Sequence, residues 1–259
     1  MNRFCRIEQL LGTQALERLR SARVAVFGLG AVGSYAVEAL ARAGVGYLML
    51  VDCDVIRRSN FNRQLYALES TLGKTKVEAA CARVRDINPG CVVDGRHVFV
   101  DGAVARTLAA PPLDVVVDAI DSVSPKVELI AAAVLAGLPV VSSMGAATRT
   151  DPALARAGDL AETQMCPLAR FIRKRLRKRG IEQGVRCIYS IEPAHNHRPA
   201  VGPDPEPDTF ERGRPRKPIG SLPYMTGIFG LLAAYEALRI LVPLTPQDGD
   251  SAPCAGRPG

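Results

Sequence analysis

The sequence is poor in aromatic side chains and in the residues that build metal or disulfide frameworks. It has no tryptophan, 3 histidines and an aromatic content of 5%. Its 7 cysteines are an odd number, are widely spaced (positions 5, 53, 81, 91, 166, 187 and 254) and form no CxxC pair. Neither a disulfide framework nor a four-cysteine zinc site is indicated, so we expect reduced thiols and no zinc.

Long uncharged apolar segments are also missing. We find no stretch of the length needed to span a bilayer, and the first 20 residues carry charges throughout, without a signal-peptide core. We therefore expect a cytoplasmic protein that does not contact a membrane. The 259 residues are 47% hydrophobic, enough for a sizeable core, and the net charge of +7 is compatible with a polyanionic partner.

The clearest positive signal is the segment Val24 to Gly33, which reads VAVFGLGAVG. An apolar run that ends in Gly28, Gly30 and Gly33 predicts a strand, a tight turn and a helix start that together bind a phosphate. The next apolar strand ends in Asp52, where a ribose-binding carboxylate belongs. A glycine-rich turn between any strand and helix, or an acid that merely ends a strand, would give parts of the same pattern.

Apolar runs and helical periodicities alternate along the chain and predict an α/β fold, Rossmann-like and doubly wound, with a mainly parallel sheet. The expected strands cover residues 24–27, 47–51, 91–94, 97–100, 113–119 and 138–142, and the expected helices cover 34–43, 75–86 and 126–136, with a short helix after 101. A two-helix arm, broken at Gly12, precedes the sheet, and a C-terminal extension ends in an apolar helix over 223–241. We predict a single domain over 1–245 that includes a mobile proline-rich loop at 195–218, and a disordered tail at 246–259.

A basic amphipathic helix is predicted after the first half of the chain. The segment Arg170 to Arg179 contains seven Lys or Arg residues beside an apolar face at helical spacing. Such a helix suits the backbone of a nucleic acid, with Arg173, Arg177 and Lys178 as the candidate contacts. The alternative is an ordinary solvated helix face.

Five motifs in fixed order carry a family resemblance. They are Gly28-x-Gly-x-x-Gly33, Asp52-x-Asp54, Ser59-Asn-Phe-Asn-Arg-Gln64, Gly73-Lys-Thr-Lys76 and Asp118-Ala-Ile-Asp-Ser-Val123. The chain resembles the ubiquitin-activating-enzyme-like adenylyltransferase superfamily over residues 3 to 241. Four more motifs are similar to the branch that acts on threonylcarbamoyladenosine in tRNA: Arg3-Phe-Cys-Arg6, Ile87-Asn-Pro89, Asp121-Ser-Val-x-Pro-Lys126 and Gly220-Ser-x-Pro223.

The resemblance implies an enzyme that uses ATP and magnesium. Members of that branch are homodimers that activate the carboxylate of threonylcarbamoyladenosine on tRNA, after which the side chain closes into a ring with loss of water. The resemblance also implies the AMP-forming type of ligase, and leaves open a sulfur-transfer or activating protein as a further partner. The absence of paired CxxC motifs favours this branch over the one that activates sulfur-carrier proteins.

Two other functions remain open on the residues alone. One is adenylylation of the C-terminus of a small ubiquitin-like sulfur-carrier protein, which would use the same ATP site. The other is a dehydrogenase or a non-catalytic scaffold that binds a dinucleotide at the glycine turn. Arg63, Lys76 and Asp121 speak against this second class, because a dinucleotide site has little need of a triphosphate clamp.

An adenylating site must hold a nucleoside, clamp a triphosphate and neutralise charge as the α-phosphate is attacked. Asn60, Arg63 and Gln64 lie on a polar loop, where the Arg63 guanidinium offers a planar fork to phosphate oxygens. A solvated loop with Asn turns is the alternative. Asp121 follows a buried strand and suits magnesium, although it is also placed to cap a helix that starts at Ser124.

The resemblance adds four further assignments. Asp54 supports the ribose pocket, and Lys76 is the phosphate-binding lysine, with Lys74 as the neighbour that a solvated face would equally explain. Arg6 is the arginine that reaches into the partner subunit's ATP site, unless it is an ordinary surface residue. Cys187, before an expected Ile-Tyr-Ser strand, is a candidate nucleophile because thioester-forming relatives use a cysteine, but a buried structural thiol is the favoured interpretation here.

Overall fold

A sheet of seven strands runs through the residues that the computed structural model describes, which are 3–194 and 219–244. The strands are β1 (Arg23–Phe27), β2 (Tyr47–Asp52), β3 (Val92–His97), β4 (Val115–Asp118), β5 (Val140–Ser143), β6 (Ala155–Asp159) and β7 (Arg186–Ser190). They lie in the order β3-β2-β1-β4-β5-β7-β6, and every neighbouring pair is parallel except β6 and β7. The doubly wound fold class is confirmed. The predicted loop at 195–218 and tail at 246–259 lie outside the described residues.

The helices of the described chain are α1 (Cys5–Leu11), α2 (Thr13–Ser21), α3 (Gly33–Arg42), α4 (Lys76–Ile87), α5 (Gly102–Leu108), α6 (Val123–Leu135), α7 (Pro167–Arg177) and α8 (Pro223–Leu241). They cover both faces of the sheet. One apolar cluster joins α3, α4 and α8 to the sheet, and a second joins α5, α6 and α7 to its other face. The predicted N-terminal arm is confirmed as α1 and α2, with Gly12 between them at φ +82°.

Strand residues alternate between the two clusters, as the pleat of a β-strand requires. In β1, Val24 and Val26 belong to the cluster with α3 and α8, whereas Ala25 and Phe27 belong to the cluster with α6. All four are fully buried. Because β1 is covered on both faces, it reads as a continuous apolar run rather than as an alternating one.

The edge of the sheet differs from the prediction in two places. One strand, β3, replaces the extended pieces expected at 91–94 and 97–100; it pairs with β2 over its whole length, and residues 98–100 lie outside it. The sequence looks interrupted because of Gly95, where a Cβ would lie 2.8 Å from the Cys81 Sγ of α4. The strand β6 is absent from the prediction, since Ala-Arg-Ala-Gly-Asp has little β-propensity and becomes a strand only by antiparallel pairing with β7.

That pairing also makes the predicted strict alternation of strand and helix wrong beyond β5. Cys187, which the sequence placed before a strand, lies inside β7. The basic helix α7 begins at Pro167 and ends at Arg177, earlier than the charged run itself suggests.

The helix α8 is, within the described chain, long and apolar enough by length and composition to cross a membrane, with a mean hydropathy of 1.2. The sequence analysis did not anticipate this. Half of its apolar window is buried inside the protein, where α8 packs against α3 and Gly227 contacts Tyr35. Glu236 is buried and accepts two hydrogen bonds from the Arg186 guanidinium, of 2.8 and 3.0 Å.

Candidate active site

The glycine turn lies between β1 and α3, against the loop that follows β4. Gly28 has a φ of +87°, and a Cβ there would lie 2.7 Å from the carbonyl oxygen of Ala119. A Cβ on Gly33 would lie 1.7 Å from the carbonyl oxygen of Gly28, so neither position has room for a side chain. At Gly30 the nearest group is the Gln64 amide, 3.7 Å from an added Cβ. The turn therefore leaves room at Gly30, the second glycine of the pattern, where the backbone can approach a phosphate.

Asp52 ends β2 and ties that strand to the glycine turn. Its Oδ2 accepts the Leu29 N–H at 2.6 Å and its Oδ1 accepts the Asp54 N–H at 2.8 Å. Burial raises the pKa of Asp52, and the positive charge of Lys76 only partly offsets that rise. Each carboxylate oxygen retains a second lone pair. The carboxylate can therefore shape the turn and still accept ribose hydroxyls, which stays a prediction.

Lys76 is the first residue of α4, and only 7% of its side chain is exposed. Its Nζ donates to Asp54 Oδ2 at 2.7 Å. Burial by itself lowers the pKa of Lys76, but the charges of Asp52 and Asp54, with a smaller contribution from Asp121, outweigh it and raise the pKa. The lysine therefore keeps its positive charge at the ligand edge of the sheet. Lys74, the alternative candidate, is exposed.

Asp121 lies in the loop between β4 and α6, at the same edge of the sheet. It is exposed, and its charge reaches Lys76, as the pKa of that lysine shows. α6 begins at Val123 with Ser122 as its N-cap residue. Asp121 is therefore not the helix cap that the sequence allowed as its alternative role.

The polar loop of Asn60, Arg63 and Gln64 follows β2 beside the glycine turn. Asn60 Oδ1 accepts the Arg57 N–H at 3.1 Å, while Arg63 Nη1 donates to Asn62 Oδ1 at 2.7 Å and to a backbone carbonyl of the same loop at 2.8 Å. Gln64 is buried. These bonds are those of an Asn-rich turn. The predicted contacts of Asn60, Arg63 and Gln64 to phosphate stay predictions.

A buried polar cluster lies beneath the loop that carries Asp121, and the sequence analysis missed it. Lys126 Nζ donates to Asp118 Oδ2 at 2.6 Å and to Ser142 Oγ at 3.2 Å, and Ser142 Oγ donates to the same carboxylate oxygen at 2.6 Å. All three residues are fully buried. One sequence feature could have indicated this cluster: Lys126 lies within the apolar pattern of α6, and Asp118 ends the buried strand before it.

The remaining predicted residues lie away from this cluster. Arg6 is exposed on α1. Arg173 is half-buried, and its Nη1 donates to the carbonyl oxygens of Leu160 and Thr163 at 3.1 and 3.0 Å. Arg177 and Lys178, at the end of α7, are exposed. Arg173 therefore serves the fold, which leaves Arg177 and Lys178 as the better candidates for binding nucleic acid.

The thiols near the site are poorly suited to nucleophilic or metal chemistry. Cys187 is fully buried, and burial raises its pKa to about 12. Among the described residues, Asp52, Cys53 and Asp54 place potential metal-ligating atoms within 4.8 Å of one another. Burial and the two acids raise the pKa of Cys53 to about 12. Because the ammonium of Lys76 binds Asp54 and its charge acts on Asp52, we assign these two carboxylates to the lysine rather than to a metal ion.

Comparison with known proteins gives one family. Residues 3–252 match the ThiF family. The tRNA threonylcarbamoyladenosine dehydratase of Bacillus subtilis is 38% identical over 232 residues, which cover 90% of this chain and 91% of that protein. The Escherichia coli molybdopterin-synthase adenylyltransferase is 38% identical over 135 residues, which cover 52% of this chain and 53% of that protein.

Solved structures agree with this result. The crystal structure of E. coli tRNA N6-threonylcarbamoyladenosine dehydratase, TcdA, in complex with AMP has a TM-score of 0.81 and 34% identity, covering 92% of this chain and 93% of that one. The ATP complex of the same protein has a TM-score of 0.80. The likeness therefore extends over nearly the whole of both chains.

Proposed function

The chain belongs to the ThiF family, and we propose that it is the enzyme that activates the carboxylate of threonylcarbamoyladenosine on tRNA with ATP and then dehydrates it to the cyclic form. The observation that carries the proposal is the meeting of the glycine turn, Asp52, Lys76 and Asp121 at the carboxyl ends of three adjacent strands. Similarity at 34 to 38% identity over nine tenths of the chain supports the tRNA substrate. Because that substrate is tRNA, a cytoplasmic location is part of the proposal.

The first step forms an acyl adenylate. A substrate carboxylate oxygen attacks the α-phosphorus of ATP, and the bond to pyrophosphate breaks. The backbone at Gly30 approaches the phosphates, Lys76 and Arg63 offset their negative charge, and Asp52 and Asp54 bind the ribose side. Ring closure of the side chain then displaces AMP, so that water is lost overall.

Asp121 is the residue that would hold magnesium. It is an exposed carboxylate beside a charged lysine at the ligand edge of the sheet, and hard oxygen ligands are what this ion prefers. Bound magnesium supplies charge neutralisation on the phosphates. Asp52 and Asp54, with a smaller contribution from the negative charge of Asp121, raise the pKa of Lys76, and the resulting ammonium is the protein's own contribution to the clamp.

The proposal is tested by product analysis. Incubation of the protein with magnesium, ATP and tRNA that carries threonylcarbamoyladenosine should release AMP and pyrophosphate and convert the modified nucleoside to its cyclic form, as read by mass spectrometry. Release of ADP and phosphate would contradict it. Adenylylation of a carrier-protein C-terminus with tRNA unchanged would support the alternative function, which shares the ATP site and matches about half of this chain.

We further propose a homodimer in which Arg6 completes the partner subunit's ATP site. The outer face of α8 supports an apolar interface, since Tyr224, Leu231 and Tyr235 are 46%, 50% and 44% exposed and lie on one side of the helix. A sulfur-transfer or activating protein would be an additional partner, and it stays a prediction.

Mixed dimers test the role of Arg6. Arg6→Ala and Lys76→Ala subunits should each be inactive alone, but after subunit exchange about a quarter of wild-type activity should return, because half of the dimers are mixed and each has one intact site. Mixing Lys76→Ala with Asp121→Ala is the matched control and should not recover activity, because both changes fall in the same site. No recovery in the first mixture, with exchange confirmed, would contradict an arginine that acts across the interface.

A further inference from the structure

We propose that Asp118 is a positioning residue for the reaction: its Oδ1 fixes the loop that carries Asp121 against the glycine turn, with Lys126 as its buried counter-charge. The inference rests on the proposed function, because it concerns the same ATP site. Asp118 and Lys126 are both fully buried, so Asp118 acts on the site only through the backbone that it binds.

The two oxygen atoms of the Asp118 carboxylate have different hydrogen-bond partners. Its Oδ2 accepts hydrogen bonds from Lys126 Nζ and Ser142 Oγ, both at 2.6 Å, while its Oδ1 accepts the N–H of Ile120 at 3.0 Å. The first oxygen anchors the carboxylate in the core. The second reaches the backbone one residue before Asp121. The cluster therefore fixes the start of the loop from below.

The same short loop touches the nucleotide turn. The Ala119 N–H donates to the carbonyl oxygen of Phe27 at 2.8 Å. The carbonyl oxygen of Ala119 lies where a Cβ on Gly28 would come within 2.7 Å. A change in the loop backbone therefore moves both the contact with the glycine turn and the carboxylate of Asp121, whose charge reaches Lys76.

Stability alone does not explain the buried charges. Replacing a buried ion pair with apolar residues of similar volume is often neutral or stabilising, because both charges must be taken out of water. A hydrogen-bonded carboxylate has a directional acceptor that an apolar pair lacks. An apolar pair could not accept the hydrogen bond that Asp118 Oδ1 accepts from the Ile120 N–H. Lys126 supplies the counter-charge that keeps the Asp118 carboxylate in place.

The decisive comparison uses two variants without the buried charges. Lys126→Met/Asp118→Asn retains an acceptor for the Ile120 N–H, whereas Lys126→Met/Asp118→Ala does not. Calorimetric ATP titrations with magnesium and with a chelator give the gain in ATP affinity that magnesium provides. We expect the Asn variant to keep the wild-type gain, and the Ala variant to lose about tenfold or more of it, as is typical for groups that orient metal ligands. ATP affinity in the chelator should change little in either.

A matched control comes from the ion pair between the buried Glu236 and the half-buried Arg186. It joins α8 to the start of β7, which is the amino end of that strand and the opposite edge of the sheet. Glu236→Gln should lower the melting temperature and leave the gain from magnesium unchanged. Equal gains in the two Lys126 variants, both folded by circular dichroism, would overturn the inference. Failure of the wild type to form AMP with tRNA would instead contradict the proposed function, because the binding titrations do not depend on turnover.

Discussion

The two halves of the sheet are built in different ways. In the nucleotide half, which we define as β1 to β4 with α3 and α4, parallel strands follow one another with a helix after each, and the site residues lie at strand ends and helix starts. In the distal half, β5 to β7 with α7, the strand β7 inserts between β5 and the antiparallel β6. The nucleotide half carries the residues that we propose bind ATP, whereas the distal half presents a charged surface. We therefore predict that phosphate chemistry depends on a few residues in short segments, and that binding of a large substrate depends on charge distributed along a helix.

The largest effect is expected from a substitution that inactivates the nucleotide half and leaves the distal half unchanged. Asp121→Ala should reduce turnover by about a thousandfold or more, because it removes the carboxylate that would hold the magnesium ion on the phosphates. The side chain is exposed, so the melting temperature and the tRNA affinity should not change. Asp86→Ala, an exposed acid on α4, is the control. Turnover near that of the wild type would refute the role of Asp121.

The converse experiment disables the distal half. Arg177→Glu with Lys178→Glu should weaken tRNA binding by about tenfold or more, and the slope of log affinity against log salt should fall by about 0.9 for each phosphate that the protein no longer neutralises. ATP affinity should stay unchanged. The same charge change at two exposed arginines of α2, Arg18 and Arg20, should have a smaller effect. Unchanged affinity and slope would assign the charges of α7 to solvent.

Arg173 allows binding and folding to be separated within α7. It belongs to the charged run of Arg170 to Arg179, but its side chain is half-buried. Its guanidinium binds the carbonyl oxygens of Leu160 and Thr163. Arg173→Ala should therefore lower the free energy of unfolding by about 1 kcal/mol, because these hydrogen bonds are removed. A salt slope that falls only in the Arg177 and Lys178 variant would separate binding from folding within one helix.

The smallest expected effect is a pH shift within the nucleotide half. Asp54 is one of the charges that raise the pKa of Lys76, whereas burial lowers it. Asp54→Asn should therefore lower the pKa of Lys76 and move the alkaline limb of kcat/KM for ATP, which reports the free enzyme, to lower pH. Lys74→Met should not move it. An unchanged limb in the Asp54 variant would mean that another group titrates.

Features that depend on neighbouring residues could be predicted from the sequence, whereas contacts between distant elements could not. The glycine turn and the start of α4 are local: Thr75 caps the helix by accepting the Glu78 N–H, and the side chain of Glu78 accepts the Thr75 N–H in return. The hydrogen bond between Lys126 and Ser142 joins α6 to β5 through the core, and no periodic pattern in the sequence predicts it. The strand β6 likewise exists because of its partner rather than its own residues. Side-chain pairs and edge strands made by tertiary packing are therefore what the sequence did not show.

The packing of α8 on α3 has a consequence for synthesis on the ribosome. A Cβ at Gly230 would lie 2.4 Å from the carbonyl oxygen of Val32, the residue before α3, so α8 packs directly against the start of α3. The glycine turn is translated well before α8, the helix that packs behind it. A nascent or truncated chain that ends before α8 carries the nucleotide motif without its support and exposes the apolar face of α3 to chaperones and proteases.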